Sequence, residues 1–175
     1  FVLTLVLVFL FVDKKIFFTQ SRIGLNRKIF RLIKFSSMKN NNNQDNLLRD
    51  EYYRINKVGY FIRKCHLDEI PQLYNILKGD INLIGPRPWS LAHDNIYRNY
   101  LKNDNYLLNK YIKRTNVKPG IMGLAQLYKL NQETRKSILN RLRLDHFYIQ
   151  NKSFHLKTYI FLSTIKKIFE NFFNK

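Results

Sequence analysis

Cysteine is almost missing from this chain. Cys65 stands alone among 175 residues, so no intrachain disulfide can form, and a reducing compartment fits. Acid is scarce too: 12 Asp and Glu face 31 Lys and Arg, an excess of 31 − 12 = 19 positive charges. A chain so basic meets something anionic, whether nucleic acid, an anionic leaflet or phosphorylated small molecules, and charge alone does not choose among them. His66, His93, His146 and His155 show no zinc-ligand spacing. There is no internal repeat and no long linker. The apolar run FVLTLVLVFLFV at residues 1–12 is too short to cross a bilayer, since as a helix it reaches roughly 18 Å against about 30 Å of hydrocarbon.

What is present is apolar and aromatic. Phe and Tyr number 14 and 11, which argues against a disordered chain, and the length allows one domain with a proper core. The apolar start lacks an initiator Met and a basic leader, and Asp13-Lys14-Lys15 ends it abruptly. It reads as the tail of a membrane-inserted element continued upstream, with a buried strand or core helix as the plainer alternative.

Residues 16–23 (IFFTQSRI) and 28–35 (KIFRLIKF) flank Gly24-Leu25-Asn26 and predict a β-hairpin. The Asn-rich stretch 38–44 reads as a loop. Val58 and Ile62 predict a helix over 54–64. Leu67, Ile70, Leu73, Tyr74 and Leu77 predict a second, starting near Leu67 because Pro71 is tolerated only in a first turn, and ending at Gly79. Residues 81–84 read as a short strand, 85–88 as a stiff turn, 92–116 as helical, 118–123 as a loop and 132–146 as a helix. At the C-terminus Phe161, Leu162, Ile165, Ile168, Phe169, Phe172 and Phe173 share one arc of an amphipathic helix, which either packs on the domain or lies in a membrane interface. The expected fold is a mostly helical α/β domain with a small sheet or hairpin.

Three segments carry candidate chemistry. Asp68 and Glu69 fall in the expected first turn of a helix. There they serve either as favourable charge at its positive end or as chemistry beside a phosphate held by free N–H groups. A carboxylate so placed could attack phosphorus, and its neighbour could bind Mg²⁺ or handle protons. In Gly85-Pro86-Arg87-Pro88 two prolines hold the backbone around one arginine, either as a rigid surface turn or as a preorganised phosphate fork. In Arg141-Leu142-Arg143-Leu144-Asp145 the charges form a buried ionic network or bind substrate, with spacing favouring the former.

Taken in order, FFTQSRIGLNRKIF, KVGYFIRKCHLDEIPQLYNILKGDINLIGPRP, VKPGIMGLAQ and RLRLDHFYIQN resemble the bacterial sugar transferase family, the small monotopic phosphoglycosyl transferases. The resemblance runs from the apolar start to about Asn151. It implies that residues 1–15 end a re-entrant membrane helix and that 16–175 form the catalytic domain. It implies transfer of a phosphosugar from a UDP-sugar to polyprenyl phosphate, releasing UMP, with Mg²⁺. Asp68 would be the nucleophile, and Glu69 would hold metal or manage a proton. Arg22, Pro86, Arg87, Pro88, Lys118, Arg143 and Asp145 would bind substrate. The helix start and the basic surroundings would keep Asp68 ionised.

The expected place is the cytoplasmic face of the bacterial inner membrane, in contact with membrane lipid, with a homo-oligomer left open and no nucleic acid. Two departures stand out: Ser36 replaces an arginine of the family's Lys-Phe-Arg-Ser/Thr-Met, and the family's Ser-Pro bend in the membrane helix is not in the sequence. Two other readings compete. A basic, aromatic nucleic-acid module lacks a recognition motif and would set two carboxylates against a phosphate backbone. A catalytically weakened membrane scaffold is suggested by Ser36.

Overall fold

A computed structural model describes residues 16–38, 55–128 and 134–173. Its contacts divide the chain into two compact units. The first takes 1–19, 33–74 and 167–175, and the second takes 20–32 and 75–166. Among the described residues helices dominate, with two small two-stranded sheets. The apolar run at 1–12 and the Asn-rich stretch at 39–44 lie outside the described residues.

The hairpin forms as the alternation predicts, from β1 (Phe17–Ile23) and β2 (Ile29–Phe35). Gly24 N donates to Lys28 O at 2.9 Å and Ser36 N to Ile16 O at 2.8 Å, so the strands run antiparallel. The chain turns through left-handed Asn26 and Arg27, at φ 49° and 63°, a region that Asn tolerates better than most residues. On β2, Phe30 and Leu32 are buried while Ile29 and Arg31 are exposed, the pleat of a strand with one dry face.

In the first unit, α1 (Lys57–Lys64) starts where the Asn56 side chain accepts from Gly59 N at 2.8 Å. Val58 and Ile62, four apart, face Phe35 together with Ile16, Leu67 and Ile70. The second expected helix is interrupted. Leu67–Glu69 is a 3₁₀ turn, and α2 (Gln72–Leu77) begins only after Pro71. Pro71 therefore opens a new segment instead of sitting in the first turn of a continuous helix, because its ring excludes the backbone of the preceding turn.

In the second unit, Gly79 ends α2 at φ 82°, as its position predicts. Strand β3 (Asn82–Ile84) then pairs in parallel with β4 (Gly120–Met122), in register Asn82↔Gly120 and Ile84↔Met122. Residues 118–123 are thus not simply a loop. Two glycines suggest a loop, but here glycine serves close backbone approach: a Cβ on Gly120 would lie 2.1 Å from Gly85 N. The crossover that parallel pairing requires is made by α3 (Leu91–Leu101) and α4 (Asn105–Lys113), capped by Ser90 and Asp104. The core here gathers Trp89, Tyr97, Leu101, Tyr111, Ile138 and Leu142. Helix α5 spans Arg135–Gln150, capped by Thr134, and α6 spans Phe154–Phe173. On α6, Leu162, Phe169 and Phe173 stay exposed. No helix among the described residues is long and apolar enough to cross a membrane.

Gly120→Ala should destabilise the protein by about 1–3 kcal/mol, since the new methyl meets backbone that cannot give way. The urea midpoint should fall; an unchanged midpoint would refute the close approach.

Candidate functional site

Asp68 and Glu69 reach the interior of the first unit through a sharp reversal. After α1, Cys65 closes the helix and His66 takes left-handed φ 55°, an uncommon state for a non-glycine residue. The 3₁₀ turn then buries both acids, leaving Asp68 7 % and Glu69 9 % exposed. Acids are rarely buried without a partner. Here the partner is Lys34 of β2, whose Nζ lies 2.8 Å from Glu69 Oε1 and 3.7 Å from Asp68 Oδ2. One ammonium thus serves two carboxylates.

Burial works against the helix start and basic surroundings that were expected to keep Asp68 ionised. Burial pushes its carboxyl above the ordinary range, and the Glu69 charge pushes the same way; Lys34, then Arg63 and His66, only partly offset this. The helix-start argument also lapses, because the acids sit on a single 3₁₀ turn and not on the first turn of a long helix. What results is a basic, poorly hydrated carboxylate, whose charge a cation or a cationic ligand would favour. Two carboxylate oxygen donors match what Mg²⁺ takes from a protein when substrate phosphates complete its shell. Among the described residues no group of three or more His, Cys, Asp or Glu converges.

Lys34 escaped the reading of the sequence, although a signal was there. It stands in period-two register with Phe30 and Leu32, so the strand carries it toward the dry face, where a lysine needs an acid. Ser36, in the place of the family arginine, is also buried, and its hydroxyl donates to Met38 O at 3.2 Å. Arg63 Nη1 reaches Met38 Sδ at 3.0 Å.

The Pro-Arg-Pro turn belongs to the second unit and is braced on every side. Gly85 N donates to Met122 O at 2.9 Å and Gly120 N to Pro86 O at 3.0 Å. Arg22 Nη1 donates to Pro88 O at 3.0 Å, and Arg114 Nη2 donates to Arg87 O. Arg114 lies over the Trp89 ring at 3.9 Å, and its Nε donates to Asp145 Oδ2 at 2.5 Å. Arg114 and Asp145 are 5 % and 1 % exposed, so this pair is a buried ionic contact with its geometry filled. Pro86 and Pro88 are buried and Arg87 is half-buried.

Sequence reasoning grouped Arg22 and Asp145 with substrate. The structure places Arg22 on the turn's backbone and Asp145 on Arg114, while Arg143 is exposed and Lys118 half-buried. Arg141 is buried, and burial holds its guanidinium below the ordinary value. Arg114, Asp94 and Tyr111 lie in the stretch 92–116, in which the sequence shows helix and no candidate site. Tyr111 OH donates to Asp94 Oδ1, and Arg27 Nη2 lies 2.7 Å from Asp94 Oδ2. A buried pairing so distant in sequence leaves no local pattern.

The family model described as bacterial sugar transferase matches residues 1–171. The sugar transferase EpsL of Bacillus subtilis is 39 % identical over 166 residues, covering 94 % of this chain and 75 % of that protein. The UDP-glucose:undecaprenyl-phosphate glucose-1-phosphate transferase of Klebsiella pneumoniae is 35 % identical over 164 residues, covering 91 % of this chain and 33 % of that one. The UDP-N-acetylgalactosamine-undecaprenyl-phosphate N-acetylgalactosaminephosphotransferase of Aeromonas hydrophila is 35 % identical over 159 residues, at 90 % and 36 %. The chain thus spans most of EpsL but only about a third of the other two.

The raised Asp68 carboxyl fixes the sign of a stability effect. Its ionised form is disfavoured in the fold, so the residue lowers stability once pH exceeds the ordinary carboxylate value, fully so above its raised value. Asp68→Asn should therefore melt higher than wild type at neutral pH, with the gap closing as pH falls through the acid range. A variant that melts lower at neutral pH would overturn the assignment of burial as the dominant effect.

Proposed function

Because the chain belongs to the bacterial sugar transferase family, we propose that it transfers a phosphosugar from a UDP-sugar to undecaprenyl phosphate, releasing UMP. The observation that supports this most directly is the buried Asp68-Glu69 pair on one shared lysine, inside the block Leu67–Leu73 that resembles the family's catalytic dyad. Carboxylates at these positions would repel a phosphate backbone, which disfavours a nucleic-acid module.

The reaction then runs in two displacements at one phosphorus. An Asp68 carboxylate oxygen attacks the β-phosphorus of the donor; a new P–O bond forms, and the bond to the bridging oxygen breaks. UMP leaves with that oxygen and its electron pair. A phosphate oxygen of the polyprenyl acceptor next attacks the same phosphorus and frees the Asp68 carboxylate, giving a diphosphate-linked lipid sugar. Low hydration of Asp68 suits the first step, since little water must be shed before attack.

Lys34, 2.8 Å from Glu69 Oε1, holds that side chain in place, and Glu69 takes the role of metal holder or proton handler. Asp68 and Glu69 would hold Mg²⁺, which when bound supplies charge neutralisation to the pyrophosphate. Arg87, on its braced turn, is assigned a contact to phosphate oxygens, for which a fixed guanidinium is well suited.

The same reading places the protein at the cytoplasmic face of the inner membrane, where cytosolic UDP-sugar and lipid-borne acceptor meet. Helix α6 supports it by itself. Its exposed Leu162, Phe169 and Phe173 accompany Lys166 and Lys167, a pattern that suits a lipid interface.

Two measurements test this. Incubated with UDP-sugar and Mg²⁺ but no acceptor, the wild type should gain the mass of one phosphosugar, and Asp68→Asn should gain none while remaining folded. An adduct on Asp68→Asn would sink Asp68 as nucleophile, and Glu69→Gln should slow adduct formation severely. Arg87→Ala should lose roughly 1.5–3 kcal/mol of substrate binding, read as kcat/KM, with its melting temperature nearly unchanged. Normal turnover with a collapsed melting temperature would make Arg87 structural.

A further inference from the structure

A cavity of about 740 Å³ opens in the second unit, between the hairpin turn, the Lys78-Gly79-Asp80 turn and Lys118. Its size suits a small molecule, since such pockets hold about 300–1,000 Å³. Four cations line it, Lys28, Arg31, Lys78 and Lys118, against one acid, Asp80, which leaves 4 − 1 = 3 formal positive charges. Asp80 is already engaged: its Oδ2 accepts from Asn75 Nδ2 at 3.1 Å and lies 3.9 Å from Lys78 Nζ. Lys28, Arg31 and Lys118 have no side-chain hydrogen bond or ion pair among the described residues.

Unpaired like charges around a concavity repel one another and focus a positive potential into it. Two further features shape the space. Gly79 is held at φ 82°, and a Cβ there would lie 3.8 Å from Lys118 Nζ, so this turn and the lysine adjoin across the space. Phe30, from the dry face of β2, supplies an apolar wall.

We propose that this cavity binds a ligand carrying two linked phosphates. Three net charges exceed what a single phosphate at neutral pH would neutralise, and they come from separate segments, so a diphosphate can be gripped from more than one side. The apolar wall takes the group attached to it. The diphosphate can belong to a free nucleotide or to a lipid headgroup. Every residue invoked lies outside the Asp68-Glu69 turn, so the inference does not depend on the chemistry assigned there.

The test is lysine acylation read by mass spectrometry, with inorganic pyrophosphate as the probe, on wild type and on Asp68→Asn. Pyrophosphate should protect Lys28, Lys78 and Lys118 in both proteins, and leave exposed Lys136 and Lys152 labelled as before. Arg31→Gln combined with Lys118→Gln should weaken that protection by about tenfold or more in pyrophosphate concentration, and the charge-preserving Arg31→Lys with Lys118→Arg should restore it. Circular dichroism melts keep loss of binding distinct from loss of fold. Protection by UDP in solution identifies a nucleotide ligand; protection only by vesicles containing a polyprenyl diphosphate identifies a lipid headgroup. Either supports the proposal. Absence of protection by all probes, uniform protection of every lysine, or loss of protection in Asp68→Asn overturns it.

Discussion

One ammonium set against two buried carboxylates constrains the interior of the first unit. Lys34 lies against both Asp68 and Glu69, and all three are largely withdrawn from solvent. Lys34 lies closer to Glu69 than to Asp68, and burial pushes the Asp68 carboxyl upward against the pull of Lys34, Arg63 and His66.

The second unit answers a different constraint, that of fixing a short turn with backbone contacts. Prolines limit the conformations of Gly85–Pro88, and the surrounding groups then remove what freedom is left. Gly120 and Met122 hold its start, Arg114 and Arg22 its carbonyls, and the Trp89–Tyr111–Tyr97 aromatic cluster its end. Arg114 is central, because it joins the turn to Asp145 and to the Trp89 ring at once. Asp145 therefore acts on the turn through another side chain.

Much of this was legible in the sequence where the relevant pattern is local. The hairpin showed in its alternation, α1 in Val58 and Ile62, the end of α2 in Gly79, and the acids in their block ahead of Pro71. What escaped depends on partners distant in the chain. Lys34 gains meaning only when it meets Glu69, 35 residues on, and Arg114 only when it meets Asp145, 31 residues on. Strand β4 looked like a loop because its glycine was read as turn chemistry, whereas the pairing with β3 demands it. The upward push on the Asp68 carboxyl has a related cause: charge can be counted along a sequence, but desolvation cannot.

The parallel pairing of β3 with β4 bears on how the chain reaches its fold. Hairpins and helices close over a few residues, but Ile84 meets Met122 only after the whole intervening crossover has been gathered in. The entropy of closing so long a loop is met before the pairing gives anything back, which makes such contacts slow to form. The rigid arginine turn, suspended from that pairing, is then among the last features to take shape during folding, and a chain with its helices already formed can still lack it.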